Sequence, residues 1–257
     1  MQKTMTEKEK LDLLKKESER ALRKYKGLQG EPKQVDEDFL ALLRASHIEL
    51  QEKRVGKYRI EIDHIEAGKE LTVVSRRNWL MMGYKPTIVT YDDVPRKIYK
   101  LIKEGQGLLM SDSPQEMFLH YEAYKAAKGS VLVGGLGLGL YATMVANKPG
   151  VSEVTVVEID KDVIKLTKPK HPKISVVHDD ITHYIKTSSK TFDYIYIDTY
   201  YSTGAMEYIE TVLPLKKILK KKYPNTPHSF WAEEEMEAQY DPTKDKVHKT
   251  SKSKKND

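Results

Sequence analysis

Apolar positions along this chain fall into two regimes. Before about residue 110 they recur at helical spacing, or alternate in short runs, among many charges. After it, short apolar runs and helical stretches take turns. From Glu7 to about Lys26, Leu11, Leu14, Ala21, Leu22 and Tyr25 lie near one helical face, and Gly27 and Gly30 end the pattern. This predicts a surface helix that packs loosely or recruits a partner. Past the Gly30-Glu31-Pro32 break, the stretch from Val35 to Gln51 repeats the behaviour, with Phe39, Leu42, Leu43 and Leu50 on one side and Asp36 as cap. Between Lys57 and Ile65, Tyr58, Ile60, Ile62 and His64 alternate with charged neighbours. A second β-prone run from Glu70 to Ser75 completes the signal of a hairpin. Asn78-Trp79-Leu80-Met81-Met82 comes next; the stretch from Pro95 to Lys103 reads as a helix, and Gln106 to Asp112 as a strand entering the main domain.

From Pro114 onward the elements alternate. A helix to Ala127 leads to a strand from Ser130 to Val133, a helix from Leu140 to Asn147, a strand from Val154 to Glu158 and a helix from Lys161 to Leu166. Strands from Ile174 to Val177 and from Tyr194 to Ile197 follow, then a helix from Met206 to Lys222 and a short strand at Ser229-Phe230-Trp231. Such β-α alternation implies an α/β fold with a doubly wound, mostly parallel sheet and right-handed crossovers. Four segments result: a helical segment over 1–56, a small β/α extension over 57–109, a nucleotide-binding domain over 110–239, and a Lys-rich tail over 240–257 whose composition predicts disorder.

Composition narrows the classes of function. A chain of 257 residues accommodates one full domain and an appendage. No apolar run approaches the roughly 20 residues of a membrane helix, so no membrane association is expected. The amino terminus, MQKTMTEKEK, lacks the apolar core of a signal peptide, which makes the cytoplasm the expected location. Cysteine is absent, excluding disulfides and thiolate chemistry, and no pair of the eight histidines has metal-binding helical spacing beside a carboxylate, so no metal site is expected. The net charge is +6, but the tail from Tyr240 holds six lysines against three aspartates. Charge therefore gives nucleic-acid binding only weak support. Lys216, Lys217, Lys220, Lys221 and Lys222 crowd one helix end, where the helix dipole alone accounts for them. Glu233-Glu234-Glu235-Met236-Glu237 reads as a solvated helix face.

The candidate chemistry lies at strand ends. The run Ser130-Val131-Leu132-Val133 leads directly into Gly134-Gly135-Leu136-Gly137-Leu138-Gly139 and then a helix. Without side chains at 135, 137 and 139 the backbone can turn sharply and approach a ligand closely, although a plain strand-to-helix turn uses glycine in the same way. Nineteen residues after Gly139, Glu158 closes the next apolar strand where a ribose is expected, and its two oxygens can accept from both hydroxyls. At the third strand Asp179, within His178-Asp179-Asp180, can accept from an adenine amino group or serve as a helix cap. At the fourth, Asp198 stands at the strand end facing the crevice of an open sheet. Tyr196, Tyr200 and Tyr201 nearby read equally as pocket wall and as packing.

Leu132-Val133-Gly134-Gly135, Val157-Glu158-Ile159-Asp160, Val177-His178-Asp179 and Ile197-Asp198, in this order, resemble the class I S-adenosylmethionine-dependent methyltransferases, with their Rossmann-like fold. The phrasing is closest to the spermidine-synthase-like branch. Ser111-Asp112-Ser113-Pro114-Gln115-Glu116 with His120-Tyr121-Glu122 also looks like the segment before its glycine loop. The resemblance extends to small phage and bacterial methyltransferase-like proteins with a Gly-Leu-Gly-Leu-Gly loop, and spans about Met110 to Tyr223. It implies S-adenosyl-L-methionine as cofactor, with Gly135, Gly137 and Gly139 cradling it, Glu158 on ribose, Asp179 on adenine and Asp198 near the sulfonium. Asp198 and Tyr201 are the implied catalytic residues of a transferase whose methyl acceptor is unknown.

The chain also departs from that pattern. Aminopropyltransferases carry an aspartate inside the glycine loop and another after the fourth strand; here those places hold Gly137 and Tyr201. An alkyl amine with a pKa of about 10 needs a base to become a nucleophile, so the loss argues against polyamine synthesis. Val133 stands where many methyltransferases have an acidic residue. Only about 40 residues separate Asp198 from the tail, too few to draw the usual final β-hairpin. Part of the substrate wall is then either absent or supplied by the N-terminal segment or by a second subunit, as in a homodimer. Alternatives are an aminopropyltransferase, an NAD-binding Rossmann protein that shares the loop and Glu158, and a non-catalytic nucleotide-binding or interaction protein that retains the fold.

Overall fold

The structure, a computed structural model, describes residues 33–46, 48–74, 87–90, 95–201 and 203–239. The expected helix from Glu7 to Lys26, the Asn78 to Met82 stretch and the tail from Tyr240 lie outside those residues.

The described chain opens with a two-residue strand, β1 (Lys33–Gln34), and helix α1 (Glu37–Ala45). Asp36 caps α1 as its sequence position predicts, accepting from the Phe39 N–H at 2.7 Å. Next come β2 (Lys53–Val55), β3 (Tyr58–Ile65), β4 (Glu70–Val73), β5 (Thr87–Thr90), β6 (Arg96–Lys103) and β7 (Gly107–Ser111). They form two small sheets, an antiparallel one in the order β2-β3-β6-β7 and another in the order β1-β5-β4.

The helix expected over Val35 to Gln51 ends at Ala45, and two further expectations for this region fail. The stretch from Pro95 to Lys103 is not a helix but strand β6. Ile98, Tyr99, Leu101 and Ile102 are all buried, and β6 is hydrogen-bonded on both sides, to β3 and β7. A strand covered on both faces loses its alternation, and its apolar spacing then imitates a helix. The expected hairpin between Lys57–Ile65 and Glu70–Ser75 also does not form. Both strands exist, but β4 pairs with β5, while β3 makes its hairpin with β2 across Gly56, whose φ of +56° suits a tight two-residue turn.

The alternating part matches its expectation closely. It comprises α2 (Pro114–Ala126), β8 (Gly129–Gly134), α3 (Leu140–Ala146), β9 (Val151–Glu158), α4 (Lys161–Thr167), β10 (Ile174–His178), α5 (Ile181–Thr187) and β11 (Tyr194–Ile197). Helix α6 (Ala205–Glu207) then runs through a π-helical turn at Tyr208–Val212 into α7 (Leu213–Lys222), and β12 (His228–Phe230) and α8 (Glu233–Gln239) follow. Every pairing in the five-stranded sheet β10-β9-β8-β11-β12 is parallel. The chain builds outward from β8 to β10 and then crosses back to β11, so the order reverses between β8 and β11, where open sheets of this class bind ligands. This is a doubly wound, Rossmann-like α/β fold. Among the described residues no antiparallel strand follows β12.

Helix α3 shows how the N-terminal elements complete the domain. All seven of its residues are buried. Leu140 and Met144 pack into a cluster with Phe39, Leu42 and Leu43 of α1 and with Met117 and Tyr121 of α2. At the far end of α2, Lys148 donates to the carbonyls of Tyr124, Lys125 and Ala127 at 2.6 to 2.9 Å, satisfying acceptors that a helix end leaves open. Among the described residues no helix is long and apolar enough to cross a membrane.

Candidate functional site

The carboxyl ends of β8, β9, β10 and β11 meet at a cleft of about 350 Å³. Its geometry starts with the loop after β8. Gly135, with φ +93°, donates its N–H to the Val157 carbonyl at 2.8 Å, and the Asp198 N–H reaches the Gly134 carbonyl at 2.8 Å, so the loop is pinned to both neighbouring strands. A Cβ at Gly135 would lie 1.9 Å from the Asp198 carbonyl oxygen. At Gly137, φ +50°, it would lie 2.1 Å from the Met110 sulfur, which also accepts from the Leu138 N–H at 3.1 Å. The close approaches that these glycines permit are therefore made first by the chain itself.

Glu158 is held across this loop. One carboxylate oxygen accepts from the Leu136 N–H at 2.9 Å and the other from the Asp160 N–H at 2.8 Å. Each oxygen keeps acceptor capacity for a further donor. Asp160 caps α4 and accepts from the Tyr58 hydroxyl at 2.7 Å, which ties β3 to the tip of β9. Against the cost of its partial burial, the bonds from Tyr58 and from the helix N–H groups hold its carboxyl below the ordinary range. Burial, aided by Asp160, pushes the Tyr58 phenol up.

At β10 the two readings of the aspartates separate. Asp180 is the helix cap, accepting from the His183 N–H at 2.9 Å. Asp179 meets His183 Nδ1 at 2.9 Å and accepts from the Asp180 N–H at 2.8 Å. The His183 contact comes first among the causes that hold its carboxyl low. Both aspartates line the cleft, as do Asp198 and Tyr201. Tyr201 is 62% exposed at the rim, under the Lys103 ammonium 5.4 Å from its ring centre. Tyr200 is buried, donates to the Trp231 carbonyl and also lines the cleft.

The structure thus gathers Gly135, Gly137, Glu158, Asp179, Asp198 and Tyr201 around one cleft. Gly139 is not among its lining residues; it precedes α3, where a Cβ would meet Pro169 at 2.7 Å. Leu101, Leu109 and Met110, from β6 and β7, form a wall, so the N-terminal extension contributes to the site. Sequence reasoning assigned no role to His120, which is buried and bonded through Nδ1 to the Tyr196 hydroxyl at 2.8 Å. Its Nε2 lies 4.0 Å from Glu116, one helical turn away, and that i, i+4 spacing was the available signal. Among the described residues no cluster of three or more histidine and carboxylate side chains is arranged to hold a metal. Away from the cleft, Lys216 pairs with Glu233, which joins the lysine-rich helix end to the acidic run.

No family model matches the chain, and no curated protein matches it. Among solved structures, a conserved hypothetical protein of Streptococcus pyogenes is similar over 41% of this chain and 66% of its own, at 17% identity and a TM-score of 0.34. A dimethyladenosine transferase from Plasmodium falciparum is similar over 44% of this chain and 40% of its own, at 22% identity and a TM-score of 0.33. The chain therefore spans less than two thirds of either relative. Likeness at this level adds nothing to what the sheet order already establishes about the fold.

Proposed function

We propose that the cleft binds S-adenosyl-L-methionine and that the protein is a cytoplasmic S-adenosylmethionine-dependent methyltransferase acting on a still unidentified acceptor. The observation that carries this reading is the charge of the cleft. Glu116, Glu158, Asp179, Asp180 and Asp198 line it, and among its described lining residues there is no lysine or arginine. A glycine loop beside an acidic strand end suits both NAD and S-adenosylmethionine. NAD, however, brings a pyrophosphate, whereas S-adenosylmethionine brings a sulfonium and an ammonium. Opposite unit charges at about 4 Å gain roughly 4 kcal/mol at an effective dielectric constant of 20, so the sign of the lining favours the sulfonium ligand.

In this reading the free acceptor sites of Glu158 take the ribose hydroxyls. Ile159, 65% exposed at the tip of β9, offers an apolar face to the adenine, with Asp179 and Asp180 at its polar edge. Asp198 faces the methionine ammonium or the acceptor, and Tyr201 closes the rim. The bound cofactor supplies a methyl group on positively charged sulfur; the protein's contribution is to align a nucleophile with it and keep water out.

A second reading, aminopropyl transfer, draws support from the same lining, which offers no cationic side chain to a methionine carboxylate. Decarboxylated S-adenosylmethionine would suit it electrostatically, although Tyr201 stands where that chemistry uses an aspartate. Calorimetry with S-adenosylmethionine, S-adenosylhomocysteine, decarboxylated S-adenosylmethionine and NAD decides between them. The first two should bind, and Glu158→Ala should weaken both at least about tenfold, a loss of roughly 1.4 kcal/mol. Preference for the decarboxylated ligand would move the assignment to aminopropyl transfer, and tighter binding of NAD would overturn both.

A further inference from the structure

We infer that His120, acting through the Tyr196 hydroxyl, receives the proton of the methyl acceptor, and that the acceptor is accordingly a neutral O–H or ring N–H nucleophile. The inference rests on the cofactor reading above. Both side chains are buried, yet both line the cleft beside Asp198. The rings of His120 and Tyr196 stand edge to face with centres 5.8 Å apart, and the Tyr141 ring packs on Tyr196 with centres 4.1 Å apart. Burial first, and then Asp198, keep the Tyr196 phenol protonated well above its ordinary range, so it can pass a proton but does not itself remain charged. Histidine is the side chain that gains and loses a proton near neutral pH. Glu116, 4.0 Å from Nε2, supplies the carboxylate that an imidazolium needs in a buried position.

The step balances without further reagents. A lone pair on the acceptor forms the bond to the methyl carbon while the carbon–sulfur bond breaks, leaving its electrons on sulfur and neutralising the sulfonium. The acceptor's proton moves to the Tyr196 oxygen as the Tyr196 proton moves to His120 Nδ1. The imidazolium then faces Glu116 until it loses its proton to solvent. An imidazole is by its chemistry a stronger base than a carboxylate for such an acceptor.

Among the described residues, the groups that face His120 include Glu116 on its own helix, Tyr141 on α3, and Tyr196 with Asp198 beyond it at the end of β11. Against these carboxylates and phenols, protonation of His120 adds positive charge to the cleft and opposes the sulfonium of S-adenosylmethionine but not the neutral sulfur of S-adenosylhomocysteine. Calorimetry with both ligands as a function of pH, in the unmodified protein and in His120→Gln, therefore reads whether His120 takes up that charge. In the unmodified protein, S-adenosylmethionine should weaken relative to S-adenosylhomocysteine by about five- to tenfold on acidification. In His120→Gln, which keeps a hydrogen-bonding side chain but no titrating proton, the ratio should be flat. Tyr196→Phe should keep the effect but shift its midpoint. If both ligands bind in a Glu158-dependent way and the ratio is flat in the unmodified protein, equally steep in His120→Gln, or unmoved in Tyr196→Phe, the relay is wrong while the cofactor reading stands. If neither ligand binds the folded protein, the cofactor reading falls and this inference with it.

Discussion

The two ends of the cleft are built in different ways. At the outer end, Glu158, Asp179 and the glycine loop come from strand tips that are neighbours in one parallel sheet. Backbone bonds from Gly135 to Val157, from Asp198 to Gly134 and from Asp179 to Glu158 lock them together at 2.8 to 3.1 Å. At the inner end, His120 and Glu116 of α2 meet Tyr196 of β11 and the β6-β7 wall, and side-chain contacts, the His120–Tyr196 hydrogen bond among them, bring them together in place of strand pairing. The first construction tolerates little change in the backbone and much in its surroundings. The second depends on the antiparallel sheet remaining docked.

Substituting Gly135 should produce the largest effect and test the first half of this contrast. In Gly135→Ala the new Cβ would meet a backbone carbonyl 1.9 Å away, an atom that cannot move without shifting β11. We expect a loss of at least about 3 kcal/mol in urea unfolding, together with loss of S-adenosylmethionine binding. Gly150, at φ +83° with nothing within 4 Å of its Cβ position, isolates the torsional part. Gly150→Ala should cost only about 1 kcal/mol. Equal losses at the two positions would mean that torsion, and not the contact between strand tips, holds the outer end.

Asp112 tests the second half. It lies between β7 and α2, buried, and accepts from the Tyr99 N–H at 2.6 Å. Burial raises its carboxyl from the ordinary 3.8 to about 6, with the Tyr99 bond and Arg96 acting in the opposite direction. Because the folded state holds this proton more tightly than the unfolded one, the cost of ionising Asp112 is absent below about pH 4 and complete above about pH 6. Stability should therefore fall by about 3 kcal/mol across that window as pH rises. Asp112→Asn, which keeps an acceptor for Tyr99, should flatten the dependence. A variant as steep as the parent would place the titration elsewhere and leave the seam without its pH-sensitive member.

The same contrast explains what could be read in advance. The doubly wound sheet and the outer end were legible because each strand tip carries its acid or glycine within a few residues of an apolar run. The expected strand from Tyr194 to Ile197 coincides with β11. Helix α5 was not anticipated, since Ile181 and Ile185 are the only buried residues in its seven. The wall formed by Leu101, Leu109 and Met110 was hidden because β6 spaces its apolar residues like a helix, and only pairing with β3 and β7 makes it a strand. His120 was hidden because the hydroxyl that gives it meaning is 76 residues away. Gly137 could be recognised as a turn position, but nothing local indicates that Met110 would close upon it.

The smallest expected effect comes from Tyr58→Phe, which removes one bond between the two constructions. The Tyr58 hydroxyl donates to Asp160 at 2.7 Å, two residues beyond Glu158, and is the described side-chain hydrogen bond from β3 to the tip of β9. Asp160 keeps its cap bond from the Asp162 N–H at 2.8 Å, so its carboxylate is not left bare. Stability should drop by about 1 kcal/mol, the ordinary net value of one such bond. If the outer end is held by its own sheet, S-adenosylmethionine affinity should stay within about threefold, under 0.7 kcal/mol. A tenfold loss measured by calorimetry at unchanged fold would instead make Tyr58 part of the cofactor site's support, because the position of Glu158 would then depend on the antiparallel sheet.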